Sequence, residues 1–248
     1  MLLSSYHFQP KPLIGIALAG VLLWEWRKGY FRGWEKFRPG PFFQSCRAPL
    51  LLFPVVVAAL LPFDPLLLKA VQLLGARLAW FSDFGAFLGR NSNFWALLIG
   101  AYLVSLAARQ EGAPKRIFGV IVGSALAGLT CYLLKFVFLR ARPSAGLGAL
   151  SFFNWDGLLH DTSEFQSLPS GDMGLMGGAA CYLFYAIRNR YLRWLPFLFP
   201  LATLFARTAG NRHWFSDLVF SLGVSLIVSR AIWDCQKRNS PFCRETCP

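Results

Sequence analysis

The segment SLPSGDMG, residues 167–174, combines residue types that suit phosphate binding at the start of a helix. Ser170 stands where an N-cap residue belongs, and the backbone N–H groups of residues 170–172 would emerge there with the positive end of the helix dipole. Gly171 lets an anion approach the backbone closely. Asp172 does not suit this role, because a carboxylate repels an anion. Taken alone, the segment is equally compatible with an ordinary helix start, which favours an acid in its first turn.

A second cluster is cationic and has the sequence KFVFLRARP, residues 135–143. Lys135 and Arg142 are about two helical turns apart, so the spacing predicts both on one face of a helix that ends at Pro143. Lys135 lies in an otherwise apolar run, where an unpaired ammonium costs a few kcal/mol, and a bound anion would compensate its charge. Arg140 points away from that face, and we expect it to extend to the membrane surface.

The third cluster, RTAGNRHWFSD, covers residues 207–217. His213 and Asp217 are spaced i, i+4, which predicts a helix that begins near Asn211 and carries both on one face. A carboxylate behind an imidazole fixes its tautomer and stabilises the imidazolium, which activates a histidine as a base or nucleophile. Arg207 can reach the same point across the turn. A lone histidine is more often structural, but this one has a carboxylate and arginines beside it.

The composition of the chain indicates that these clusters belong to a membrane protein. Of the 248 residues, 55% are hydrophobic and only 15% are charged, with a mean hydropathy of +0.45. Such values are typical of membrane proteins. We therefore predict an all-α, polytopic membrane helix bundle with an additional N-terminal short or interfacial helix. Its six core transmembrane helices are predicted at 48–63, 92–108, 117–139, 173–187, 194–206 and 214–233.

The formal charge of +13 follows membrane topology and does not indicate nucleic-acid binding. If 48–63 is the first core span, all the basic clusters fall on one side of the membrane, which the positive-inside rule assigns to the cytoplasm. The three motifs then meet at the opposite, periplasmic face. The basic clusters are residues 27–38, 109–116, 188–193 and 230–244.

Three regions follow from this organisation. We predict that residues 1–47 form an N-terminal apolar helix and a basic juxtamembrane linker. Residues 48–233 are predicted to form the six-helix domain, and residues 234–248 a cytoplasmic tail. Residues 12–26 are predicted to be an uncleaved element packed on the bundle, and 65–88 an amphipathic helix at the outer interface. The six cysteines lie in spans or on the cytoplasmic side, so we predict neither a disulfide framework nor a zinc site.

Together the three clusters resemble the signature of the type 2 phosphatidic acid phosphatase superfamily, over about residues 48–233. That signature is Lys-x6-Arg-Pro, Pro-Ser-Gly-His and Arg-x5-His-x3-Asp, and this chain departs from it at Asp172 alone. The resemblance implies a metal-independent lipid phosphate phosphatase without a cofactor. It implies that His213 attacks phosphorus to form a phosphohistidine and that Asp217 orients it. It further implies that the phosphoryl oxygens are held by Lys135, Arg142, Ser170, Gly171 and Arg207.

Asp172 occupies the place of the family histidine that is thought to protonate the leaving oxygen. Three interpretations remain open. Asp172 is a working acid, kept protonated by a dry site and a dianionic substrate, or it is an inactivating substitution, or another group such as His160 in the outer loop donates the proton.

The resemblance implies a phosphorylated membrane lipid as substrate and the bilayer as partner, with no nucleic acid and no obligate protein partner. Family members of this kind act on phosphatidic acid, phosphatidylglycerol phosphate, polyprenyl pyrophosphate or lipid A phosphates. The long outer loop 144–168 favours a large glycolipid such as lipid A, in a bacterial inner membrane with the site facing the periplasm. The alternatives are an undecaprenyl pyrophosphate or phosphatidylglycerol phosphate phosphatase, a catalytically weakened lipid-phosphate-binding protein, and, less favoured, an anion transporter.

Overall fold

A computed structural model describes residues 11–30, 46–109, 112–155 and 163–239, and the secondary structure of these ranges is helical without a β-strand. This confirms the all-α prediction. The described α-helices, in chain order, are α1 Lys11–Arg27, α2 Arg47–Leu60, α3 Asp64–Arg77, α4 Ala79–Leu88, α5 Asn91–Ala107, α6 Ala113–Phe138, α7 Gly171–Ala186, α8 Leu198–Ala209 and α9 Phe215–Asn239.

Among the described helices, three segments are long and apolar enough to cross a membrane by length and composition: Arg47–Arg77, Ala113–Ala145 and Phe215–Gln236. Asn91–Ala107 is a shorter apolar helix. Helices α7 and α8 overlap the predicted spans 173–187 and 194–206 but have only 16 and 12 residues. Before α8, the chain forms a 3₁₀ helix, Leu192–Phe197, that contains Pro196. The count of six spans therefore stays a prediction.

The predicted interfacial helix at 65–88 differs in its extent from the structure. The chain continues from α2 through a 3₁₀ turn, Leu61–Phe63, directly into α3, and α4 begins after a break at Leu78. Pro65 suits the first turn of α3, where a missing N–H costs no helical hydrogen bond. The segment thus forms two helices, of which the first extends the line of α2.

Helix α7 lies at the centre of the bundle, packed against α6 on one side and α9 on the other. Its contact with α6 is close because Gly178 faces the α6 backbone at Gly123. On the other side, Ser225 and Ser229 of α9 donate hydrogen bonds to α7 carbonyls at 3.1 and 2.9 Å. These contacts fix the position of α7, and with it the helix start at Gly171.

Helix α1 packs against α5, in agreement with the prediction of an element packed on the bundle. Val21 belongs to the apolar core, and the buried Glu25 accepts a hydrogen bond from Tyr102 of α5. Most of the predicted basic linker and the end of the predicted tail lie outside the described residues.

We predict that Gly178→Ala destabilises the protein. A Cβ atom at this position would lie 2.7 Å from the Gly123 carbonyl oxygen and 2.8 Å from the Ser124 Cα. Such overpacking of two backbones costs about 1–3 kcal/mol, so the thermal unfolding midpoint in detergent should fall. Gly100→Ala on α5 is the matched control, since its Cβ would meet nothing within 4 Å. Equal unfolding midpoints for the two variants would contradict the close α6–α7 contact.

Candidate active site

A cavity of about 410 Å³ opens where the ends of α6 and α7 meet the loop before α9. Its lining includes predicted site residues from all three sequence clusters. The lining residues are Asn91, Trp95, Gly128, Leu129, Tyr132, Lys135, Arg142, Gly171, Asp172, Leu175 and His213. The structure therefore brings Lys135, Arg142, Gly171, Asp172 and His213 together, although the chain places them up to 78 positions apart (213 − 135).

Lys135 and Arg142 reach this cavity differently from the prediction. Helix α6 ends at Phe138 and not at Pro143, so the two cations do not share a helix face. Leu139 adopts a left-handed conformation with φ of 40° and closes the helix by donating its N–H to the Lys135 carbonyl. Arg142 lies beyond it in extended backbone, as expected for a residue that precedes proline.

The Lys135 side chain is buried, with 8% of the residue exposed. Its Nζ donates a hydrogen bond to the Gln166 carbonyl at 2.9 Å. This carbonyl leaves two further ammonium protons for other acceptors, since an ammonium carries three donors. Lys135 can therefore bind an anion in the cavity without losing its protein partner.

Arg140 does not extend to the membrane surface, and that prediction is wrong. Its side chain is fully buried and forms ion pairs with Asp217 at 2.5 Å and Asp64 at 2.6 Å. Both Nε and Nη2 also donate to the Ala149 carbonyl. A buried guanidinium needs such pairing, and the end of α6 at Phe138 lets the chain turn Arg140 inward.

The start of α7 is capped by Ser170, as predicted. The Ser170 hydroxyl accepts a hydrogen bond from the Met173 N–H, while the Ser170 N–H itself donates to Ser221 Oγ at 2.8 Å. The expectation of a free N–H at Ser170 is therefore wrong. Gly171 and Asp172 line the cavity at the first helical turn, where backbone N–H groups have no intrahelical partner.

His213 precedes α9, which begins at Phe215 and not near Asn211. Asp217 Oδ2 accepts the Trp214 N–H at 2.9 Å, a capping contact from the third helical residue that sets the helix start after His213. The His213 Nδ1 lies 2.7 Å from the Ser167 carbonyl oxygen and 3.8 Å from Asp217 Oδ2. The direct partner of the ring is thus a backbone carbonyl, with the carboxylate next to it.

This geometry defines the tautomer of His213. A carbonyl oxygen can only accept, so Nδ1 carries the proton and Nε2 keeps its lone pair. Burial lowers the pKa of His213 below its ordinary value, against the opposing effect of Asp217. The ring is therefore neutral near neutral pH, which is the form that a nucleophile requires.

Arg207 approaches the site through Asp172. Its Nη2 forms an ion pair with Asp172 Oδ2 at 2.8 Å and donates to the Gly89 carbonyl at 2.7 Å. Both side chains are about one quarter exposed. Arg207 thus contacts the cavity through an ion pair with Asp172, and Asp172 faces a cation on one side and the cavity on the other.

A comparison with protein families identifies the superfamily of this chain. A model described as the PAP2 superfamily matches residues 116–241, slightly more than half of the 248 residues, and this range contains all three motifs. The chain belongs to this superfamily. Searches among curated proteins and among solved structures found no match.

PAP2 membership confirms the resemblance to type 2 phosphatidic acid phosphatases, and the members of this family are phosphatases. It supports a phosphatase acting on phosphate esters. The family match begins at residue 116, so α1 to α5 lie before it. No group of three or more His, Cys, Asp or Glu side chains that could hold a metal ion occurs within residues 11–30, 46–109, 112–155 and 163–239.

Sequence reasoning missed three residues behind the cavity of this PAP2 site. Asp64, Arg140 and Ser167 are each 0% exposed and connect Asp217 and His213 to the rest of the fold. A signal for Asp64 existed, because a carboxylate between the apolar runs 48–63 and 65–68 needs a buried partner. Ser167 carried no comparable signal, since it contacts His213 through its backbone carbonyl, and its hydroxyl contact to Asp217 joins residues 50 positions apart. His160 lies outside the described residues.

Proposed function

We propose that this protein is an integral membrane phosphatase that hydrolyses a phosphate monoester or pyrophosphate on a lipid head group through a phosphohistidine at His213. The observation that carries the proposal is the cavity in which a neutral histidine and the cations Lys135 and Arg142 line one space. Phosphoryl transfer requires a positioned nucleophile and positive groups around the phosphoryl oxygens, and this set of side chains supplies both.

In the first step, His213 Nε2 attacks phosphorus, and the bond between phosphorus and the leaving oxygen breaks with its electron pair on that oxygen: a lipid phosphate leaves as an anion, and a lipid alkoxide takes a proton from water. Because Nδ1 keeps its proton, the phosphorylated ring carries a positive charge. Asp217, 3.8 Å from Nδ1, is placed to stabilise that charge without accepting the proton. In the second step, water attacks the phosphohistidine, inorganic phosphate leaves, and the neutral ring is restored.

Lys135, Arg142 and the N–H groups at the start of α7 hold the phosphoryl oxygens in this proposal. Ser170 acts by capping the helix that presents these groups. Arg207 joins them when an incoming phosphate competes with Asp172 for its guanidinium. No step in this scheme needs a metal ion, because the side-chain cations supply the positive charge.

A lipid substrate is favoured by the apolar wall of the cavity. Leu129 and Tyr132 on α6 line it and are each 52% exposed on the helix surface, and Trp95 lines it from α5. A head group can therefore bind at the cations while its acyl chains stay beside the helices. The charge pattern supports a site at the periplasmic face of an inner membrane, and the long connection after α6 favours a large head group such as lipid A.

The experiment that tests this function is phosphate release by the detergent-solubilised full-length protein from a panel of lipids. The panel contains lipid A, phosphatidylglycerol phosphate, phosphatidic acid and undecaprenyl pyrophosphate. We expect release from at least one lipid, and a loss of at least about 10³-fold in His213→Ala, because no other group supplies the nucleophile.

The exposed Lys69→Ala on α3 is the control variant and should keep full activity, because its charge lies outside the cavity. Release that persists at the full rate in His213→Ala would contradict the phosphohistidine mechanism. Binding of the panel lipids without any release would favour the alternative of a catalytically weakened lipid-phosphate-binding protein.

A specific observation favours pyrophosphate among the possible substrates. Asp172 Oδ2 is engaged by the Arg207 guanidinium at 2.8 Å, so in this geometry Asp172 accepts from a cation and is not placed as the acid that the family histidine is thought to provide. A monoester releases an alkoxide, which needs a proton, whereas a pyrophosphate releases a phosphate anion that needs none. Undecaprenyl pyrophosphate is therefore the second candidate substrate.

We predict that Asp172→His changes this selectivity. A histidine restores a proton donor, so kcat/KM for a lipid monophosphate should rise by roughly 10²-fold while that for a lipid pyrophosphate changes little. Asp172→Asn is the matched control, because it removes the charge without adding an acid. If Asp172→Asn and Asp172→His instead both abolish release of the monophosphate, Asp172 is itself the acid.

A further inference from the structure

The fully buried carboxylate of Asp64 begins helix α3, far from the three motifs in sequence and outside the family match. Its Oδ2 accepts from Arg140 Nη2 at 2.6 Å and from Ser216 Oγ at 2.5 Å, and its Oδ1 accepts from the Ser216 N–H at 2.9 Å. These contacts attach α3 to the first turn of α9. A buried carboxylate is costly unless it is paired in this way.

Arg140 connects Asp64 to the site. Its Nη1 donates to Asp217 Oδ1 at 2.5 Å and to Ser216 Oγ at 2.8 Å, while Nη2 serves Asp64. The flat guanidinium thus bridges two carboxylates with separate nitrogens, a geometry that a lysine cannot reproduce. Phe152 and Trp214 lie over it at 5.0 and 5.5 Å and complete its enclosure.

The same network continues to the His213 ring through Ser167. The Ser167 hydroxyl donates to Asp217 Oδ2 at 2.5 Å, its N–H donates to the Arg140 carbonyl at 2.9 Å, and its own carbonyl accepts the proton on His213 Nδ1. Arg140 therefore holds both groups that face Nδ1: the Asp217 carboxylate through its guanidinium, and the Ser167 carbonyl through its backbone.

We propose that Asp64 is a positioning residue for His213, acting through Arg140 on Asp217 and Ser167. This inference rests on the proposed function for its kinetic consequences, but its structural part stands on the described contacts alone.

The sharing of the Arg140 charge between Asp64 and Asp217 explains how Asp64 can affect His213. One guanidinium shared by two carboxylates leaves a net negative charge beside His213, which stabilises the cationic phosphorylated ring. In Asp64→Asn, Arg140 pairs with Asp217 alone and cancels that charge. The guanidinium is then free to bind both oxygens of Asp217, where it competes with the Ser167 hydroxyl for Oδ2, which also accepts the Trp214 N–H, and this competition loosens the carbonyl that fixes Nδ1–H.

The test uses the full-length protein in detergent micelles with ¹⁵N-labelled histidine rings. The chain has only three histidines, so His213→Gln assigns the His213 signals by their disappearance. We expect one Nδ1–H tautomer in the wild type and a mixture of tautomers in Asp64→Asn. Asp83→Asn, which removes an exposed carboxylate from α4, is the matched control and should keep the single tautomer.

Arg140→Lys provides a second variant in case Asp64→Asn does not fold. It keeps the buried positive charge but can no longer bridge both carboxylates, so it should give the same mixture. A single Nδ1–H tautomer in whichever of these variants folds would overturn the proposal, as would a mixture in the wild type.

Kinetics supply the second measurement. Asp64→Asn should lower kcat by roughly 10- to 100-fold with KM nearly unchanged, as for other groups that orient a reacting side chain. In an Asp217→Asn background the same change should cause no further loss. If the losses of kcat from Asp64→Asn and Asp217→Asn instead multiply in the double variant, Asp64 acts independently of Asp217, and the proposal is overturned. A wild type without phosphatase activity would contradict the proposed function, while the ring-nitrogen spectra would still decide the role of Asp64.

Discussion

The structure depends on one buried interaction, the pairing of the Arg140 guanidinium with Asp64 and Asp217. All three side chains are fully buried, so water does not solvate them, and their charges must be paired with one another inside the protein. Breaking such a network by removing one partner leaves an uncompensated charge. This requirement joins the ends of α3, α6 and α9 at a single point, and that point lies directly behind His213.

The charges of the site are arranged in two layers around that histidine. On the buried side, two carboxylates share one arginine, which leaves negative charge near Nδ1. On the cavity side, Lys135 and Arg142 present positive charge to a substrate anion. His213 lies between these layers. As it attacks an anionic phosphoryl group, its ring gains positive charge, and the carboxylates on the buried side stabilise that charge, as a phosphohistidine mechanism requires.

The three motifs led to residues that line one cavity, because each motif places charged or polar residues in apolar surroundings, where such residues need polar partners. The sequence predicted the local backbone less well. The i, i+7 spacing of Lys135 and Arg142 and the i, i+4 spacing of His213 and Asp217 both suggested continuous helix, yet Leu139 and Trp214 lie at helix ends. The start of α9 is set by the cap between Trp214 and Asp217, whereas beyond the end of α6 the chain follows the long-range ion pairs of Arg140 with Asp64 and Asp217. Spacing within one segment does not contain such contacts, and Arg140 was therefore mistaken for a surface residue.

The central claim is that phosphate is transferred to His213, and rapid-quench trapping tests it most directly. The full-length protein would be mixed with a ³²P-labelled lipid phosphate, quenched in alkali, where phosphohistidine survives, and mapped by mass spectrometry. The account predicts an acid-labile phosphoryl group on the His213 ring that forms and decays at the rate of turnover. Turnover with the label on another residue, or with no protein-bound label at any time, would contradict it.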